Sequence, residues 1–195
     1  MAAAFAAALA LALLVLAAMG AGEHGTVAAL RATGRLSFLL FWPAYAGGAL
    51  AKLFGPRLAP LARRTRSFGL SFAAAHLVHL GLVVWLYRIA ARPPLSPDMF
   101  ALFTVAAACT YLLALLSAPK LGNLAAGPAG RIVRTVGLEC IAFAFLVDFV
   151  ITPLRFGVRR PLEYLPFAIL AILGALLRLT AAVRGPEPRR QPAQQ

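Results

Sequence analysis

Acidic side chains are scarce in this sequence: six Asp and Glu stand against 19 Lys and Arg in 195 residues, and charge of either sign makes up only 13% of the chain. A soluble domain averages roughly a quarter charged residues. Its surface must also face water, so a 62% share of hydrophobic residues excludes an ordinary soluble globule. Cysteine is sparse as well. Cys109 and Cys140, the two present, both fall inside apolar runs, which excludes an extracellular disulfide framework or a zinc site read from cysteine spacing. The alternating pattern of a membrane barrel is missing, as are a phosphate-cradling glycine loop, a nucleophile elbow and paired metalloprotease histidines. Hydrolase and nucleotide-binding functions lose their usual signatures with them.

The net charge of +13 raises nucleic acid as a partner. The basic residues lie between apolar runs, however, not along one face or in one tail, and that is the distribution of a multi-span membrane protein. The expected partner is the lipid bilayer, with no nucleic acid.

Six segments, at about 2–19, 36–54, 68–89, 99–117, 133–153 and 162–183, approach the roughly 20 apolar residues that cross a hydrocarbon core as a helix. Backbone polar groups must be satisfied internally in lipid, and without a barrel pattern only helices achieve this. The fold class that follows is an all-α membrane protein, a six-helix transmembrane bundle over residues 1–183, with a disordered cytoplasmic tail at 184–195 rich in Pro, Arg and Gln. Gly55-Pro56, Pro93-Pro94, Pro97, Pro119, Gly127-Pro128, Pro153 and Pro161 lie at or outside span ends. Pro43 and Pro166 fall near the starts of spans two and six. The longest connection is about 15 residues, well short of a separate domain, so no flavin or nucleotide domain fits in this chain.

Small residues at Ala18, Gly20 and Ala21 imitate a signal-peptide cleavage site, but the opening Met1-Ala-Ala-Ala-Phe5 carries no positive charge. A secretory signal normally has a basic n-region, so the first segment is expected to stay as a span. Twelve of the 19 basic residues (Lys52, Arg57, Arg63, Arg64, Arg66, Lys120, Arg131, Arg134, Arg178, Arg184, Arg189 and Arg190) fall on the side of the termini. Cytoplasmic connections hold the excess of Lys and Arg, which places both termini in the cytoplasm of an inner, plasma-type membrane.

Ionisable residues inside spans are functional hypotheses by default. His76 and His79, three apart in span three, share a helix face and point inward together. One helix offers a haem iron one axial ligand, not two, since axial ligands approach from opposite faces. Span five carries Glu139 and Asp148. At 1.5 Å per residue, His76, Cys109 and Glu139 each lie about 12 Å from the cytoplasmic ends of their spans. A mid-membrane cluster of the three would serve as a proton relay, a metal site or a hydrogen bond joining helices. Asp148, near the other end, is expected to pair with Arg88, Arg92 or Arg155.

Three features together give the chain a likeness to a known family: six spans, the element Arg31-Ala-Thr-Gly34 leading into span two, and Arg63-Arg-Thr-Arg-Ser-Phe-Gly-Leu70 before a span containing His79. On these it resembles the ferric reductase-like transmembrane domain family, in its haem-binding membrane-subunit form, over about residues 31–153. The resemblance implies haem b bound at His79, an electron-transfer role within an oxidoreductase, and a separate flavin-containing reductase or quinone as donor. It also implies partner histidines on span five, where this chain has Arg134 and about Val147 instead. His24, the remaining histidine, lies in the first external connection. Cys, Met or Glu would complete the coordination, or the haem would be five-coordinate, or none binds. In the last case the chain is a non-enzymatic scaffold or a proton-linked membrane protein.

Overall fold

A computed structural model of the chain describes residues 1–118, 127–156 and 161–184. Most of the expected tail, together with the stretches 119–126 and 157–160, lies outside the described residues. Long helices dominate: α1 (Ala2–Met19), α2 (Glu23–Phe54), the short α3 (Ala59–Arg63), α4 (Thr65–Ile89), α5 (Pro97–Leu116), α6 (Pro128–Leu146), α7 (Thr152–Phe156) and α8 (Leu165–Val183). Six of the helical segments are long and apolar enough to cross a membrane, α6 being continued through α7 to Leu154, and no strand occurs among the described residues. The protein is an all-α bundle of membrane-spanning helices.

The second span begins far earlier than hydropathy indicated. Instead of a connection running to residue 35, only Gly20 to Gly22 separate α1 from α2. Gly20 turns the chain at φ +84, and a Cβ on Gly25 would lie 1.8 Å from the Gly20 carbonyl oxygen, so both positions require glycine. Arg31 and Arg35, read from sequence as loop residues, therefore lie inside a helix of 32 residues, about 48 Å long. Hydropathy marks where lipid suits a segment, whereas helical hydrogen bonding continues past that limit. Pro43 likewise falls deep within α2, not near its start, while Pro166 does occupy the first turn of α8. Pro153 stands at the end of span five, next to Leu154, but does not stop the helix, which passes through a π-turn at Val147–Ile151, with the Thr152 N–H bonded to the Val147 carbonyl, and resumes as α7. A proline ring crowds the preceding turn and removes a donor, and one widened turn absorbs both effects.

Helix α2 is the central post, with two faces of different character. One face presents Thr26, Ala29 and Thr33 to α1 and α4, where Ala8, Ala12 and Ala75 let the backbones approach closely. The Thr26 and Thr33 hydroxyls each donate 2.9 Å back to the carbonyl four residues earlier, so they tolerate complete burial. The other face carries Phe38, Phe41 and Tyr45 into an aromatic cluster with Phe72, Phe145, Phe149 and Phe167. Helix α6 packs between α5 and α8. Helices α4 and α5 meet mainly at their ends, through the Tyr87–Phe100 ring contact and the hydrogen bond from the Arg66 guanidinium to the Ser117 carbonyl. Between these ends the two helices enclose space.

Candidate functional site

That space forms two cavities. One, of about 630 Å³, holds His76, His79, Arg31, Arg35 and Asp148 in its walls. The other, of about 570 Å³, is lined by Thr65, Arg66 and Arg134 together with leucines. Phe72, Thr110 and Ile141, each buried, line both and form the septum between them.

The two histidines come together as their spacing predicts, with ring centroids 5.5 Å apart and planes 19° from parallel. Different helices fix each ring. The Nδ1 of His79 is 3.1 Å from the Thr33 hydroxyl, and the ring lies over Gly34, where a Cβ would stand 3.4 Å from Cε1. An alanine Cβ would just touch the imidazole, and a longer side chain would have to displace it. His76 instead turns its Nδ1 to the Tyr111 hydroxyl on α5, at 3.1 Å. Among the described residues neither Nε2 has a side-chain hydrogen bond, and the His79 ring also has the Leu30 backbone within hydrogen-bond reach. Ser37, fully buried in the same wall, has a hydroxyl without a hydrogen-bond partner. Arg35 bonds Glu163 at 3.3 Å and lies over the Tyr164 and Phe167 rings.

The expected cluster of His76, Cys109 and Glu139 does not form. Equal depth places residues at one level, but the 100° turn per residue decides which neighbour each one meets, and the three side chains face different helices. Cys109 meets the Cys140 thiol across the α5–α6 interface, and both cysteines are free. Glu139 faces α2 and α8: the Tyr45 hydroxyl donates to it at 2.7 Å and Arg178 Nε at 2.8 Å. Arg178 also donates to the Tyr45 carbonyl and stacks 4.6 Å over its ring. Among the described residues, no three His, Cys, Asp or Glu side chains gather as a metal site. Asp148 has Arg35 as its nearby cation, not Arg88 or Arg92, and the Arg155 side chain, also expected as a partner, lies outside the described residues. His24 lies in the first turn of α2 and not in a connection.

Sequence reasoning missed Thr33, Gly34 and Tyr111 as the groups that hold the histidines, and Tyr45 and Arg178 as partners of Glu139. One signal was available: Thr26, Thr33 and Ser37 repeat at seven and four residues, which puts three polar side chains on one stripe of an apolar helix. No protein-family model, curated protein or solved structure matches this chain.

Proposed function

We propose that the chain is a haem-binding, membrane-embedded electron-transfer subunit, with His79 as the iron ligand. The observation that carries this reading is an imidazole fixed through Nδ1 by Thr33 and seated on Gly34, in the wall of a cavity that also holds two arginines. Histidine ligands are ordinarily held in this way through the nitrogen that does not bind the metal. The donor set fits the group on one side. A haem is a flat apolar disc with two carboxylates, and the cavity combines apolar walls with Arg31 and Arg35. The walls contributed by α5 and α6 include Ala106, Ala107, Ala144 and Phe145 but no imidazole or sulfur, so the chain supplies one strong axial ligand. When bound, haem supplies a one-electron iron couple. His79 would hold it, Arg31 and Arg35 would pair with its carboxylates, and Phe72 would separate it from the second cavity. The electrons would come from a separate reductase or from a quinone. The excess of basic residues on their side supports a cytoplasmic location for both termini.

The test is the absorption spectrum of the purified full chain, air-oxidised and then dithionite-reduced. We expect a Soret band that is lost in His79→Ala and kept in His76→Ala, with ready uptake of carbon monoxide by the reduced form. A colourless protein from haem-replete cells rejects the proposal. The second reading, a scaffold without a cofactor, draws on Tyr111, Thr33 and Arg178 as existing partners of His76, His79 and Glu139. It expects a colourless protein in which Thr33→Val and His79→Ala each lower thermal stability.

A further inference from the structure

We propose that the second cavity is a binding site for an anionic phospholipid of the leaflet at the basic end of the bundle. This inference is independent of haem. The cavity opens where α4 and α6 begin and α5 ends, so it lies at headgroup level and reaches inward to the septum. Its outer wall holds Arg66, Arg134 and Thr65, and its inner wall holds Leu70, Leu113 and Leu138. The polarity is that of a lipid: an anion outside and an acyl chain within.

Charge at this end has no free acidic counterpart among the described residues. Five basic residues from Lys52 to Arg66, with Arg131, Arg134 and Arg184, stand there, and among the described residues no Asp or Glu stands with them. Glu139, the one acid among the described residues of the same half, is already engaged by Arg178 and Tyr45. The opposite end mixes the two signs among the described residues, with Glu23, Asp98, Asp148 and Glu163 beside Arg31, Arg35, Arg88 and Arg92. Arg66 spends one hydrogen bond on the Ser117 carbonyl at the end of α5, which fixes its guanidinium at the cavity mouth with further donors unspent. Arg134 has neither a hydrogen bond nor an ion pair with the described residues. A phosphodiester accepts from two such groups at once, and the leucines accept the chain attached to it. A volume of about 570 Å³ is within the range of ligand pockets.

The experiment uses the full chain in neutral detergent, titrated with phosphatidylglycerol, phosphatidylcholine or glycerol 3-phosphate and read by thermal unfolding and native mass spectrometry. Phosphatidylglycerol should raise the unfolding temperature and remain as a one-to-one adduct, while the other two should do neither. R66Q/R134Q removes both guanidinium partners of the phosphodiester and should weaken phosphatidylglycerol binding about 30-fold. R57Q/R63Q removes the same charge away from the cavity and should weaken it less than threefold. Equal losses in the two variants would show diffuse attraction and overturn the site. An equal effect of glycerol 3-phosphate would overturn the acyl-chain half of the proposal. Should R66Q/R134Q fail to fold, the wild-type protein in an equimolar lipid mixture still decides: no enrichment of phosphatidylglycerol in the adduct rejects the proposal.

Discussion

The two cavities share three side chains and little else. The histidine cavity has two aromatic bases, an orphan hydroxyl and acids close to its arginines, whereas the basic cavity has arginines and leucines with no acid in its lining. Both arise because α4 and α5 pack closely only toward their ends and are bridged between them by the His76–Tyr111 hydrogen bond. The difference shows that a gap between helices acquires its chemistry from whichever residues the flanking helices rotate into it. It also shows that partner choice inside a membrane depends on whether a charge meets its opposite within the chain.

Phe72→Ala tests the separation itself and carries the largest expected effect. Phe72 is 3% exposed and packs on Phe41, Phe145 and His76. Its truncation should cost about 3–5 kcal/mol in a detergent unfolding assay and make the two cavities one, so that a thiol reagent reaches a cysteine placed beyond the septum. A stable variant with unchanged labelling would mean that the septum lies elsewhere. Arg178→Gln comes next. Glu139, whose side chain is 48% exposed on the bundle surface, would face lipid without its cation, at a cost of about 3 kcal/mol, and E139Q/R178Q should recover much of that loss in a double-mutant cycle. Because Glu139 and Arg178 line neither cavity, phosphatidylglycerol binding should persist in the double variant.

Gly34→Leu separates the cavities functionally. The new side chain must displace the His79 ring, which we expect to cost about 2 kcal/mol as overpacking and to abolish any Soret band while sparing lipid binding. Loss of both activities would mean that the cavities are one site. Cys140→Ser should have the smallest effect, below about 1 kcal/mol and within the range of ordinary substitutions, since the thiol pair is a packing contact lining neither cavity.

The six crossings were legible because apolar length alone decides them, and α1 and α8 lie close to where hydropathy put them. The stacking of His76 on His79 was legible for a similar reason, as it is a local property of one helix. Contacts between helices were not. Arg178 was read as a marker of the span's cytoplasmic end, yet it lies level with Glu139, because the polar partner of a membrane carboxylate is set by helix rotation and stagger. The long α2 escaped notice because Arg31 and Arg35 look like the end of a span when lipid is assumed on every side. In the bundle, Arg35 reaches Glu163 and two aromatic rings.

Phe72, Thr110 and Ile141 have an electrical consequence. Water entering the two cavities would carry the potential of each bathing solution toward the middle of the membrane, so most of the voltage would fall across the thin partition between them. A membrane potential of 100 mV is worth about 2.3 kcal/mol per elementary charge. A charge moving across the whole bilayer feels that energy over roughly 30 Å, while here it would be concentrated over the width of a few side chains. His76, bonded to Tyr111 beside that partition, stands where the field is steepest.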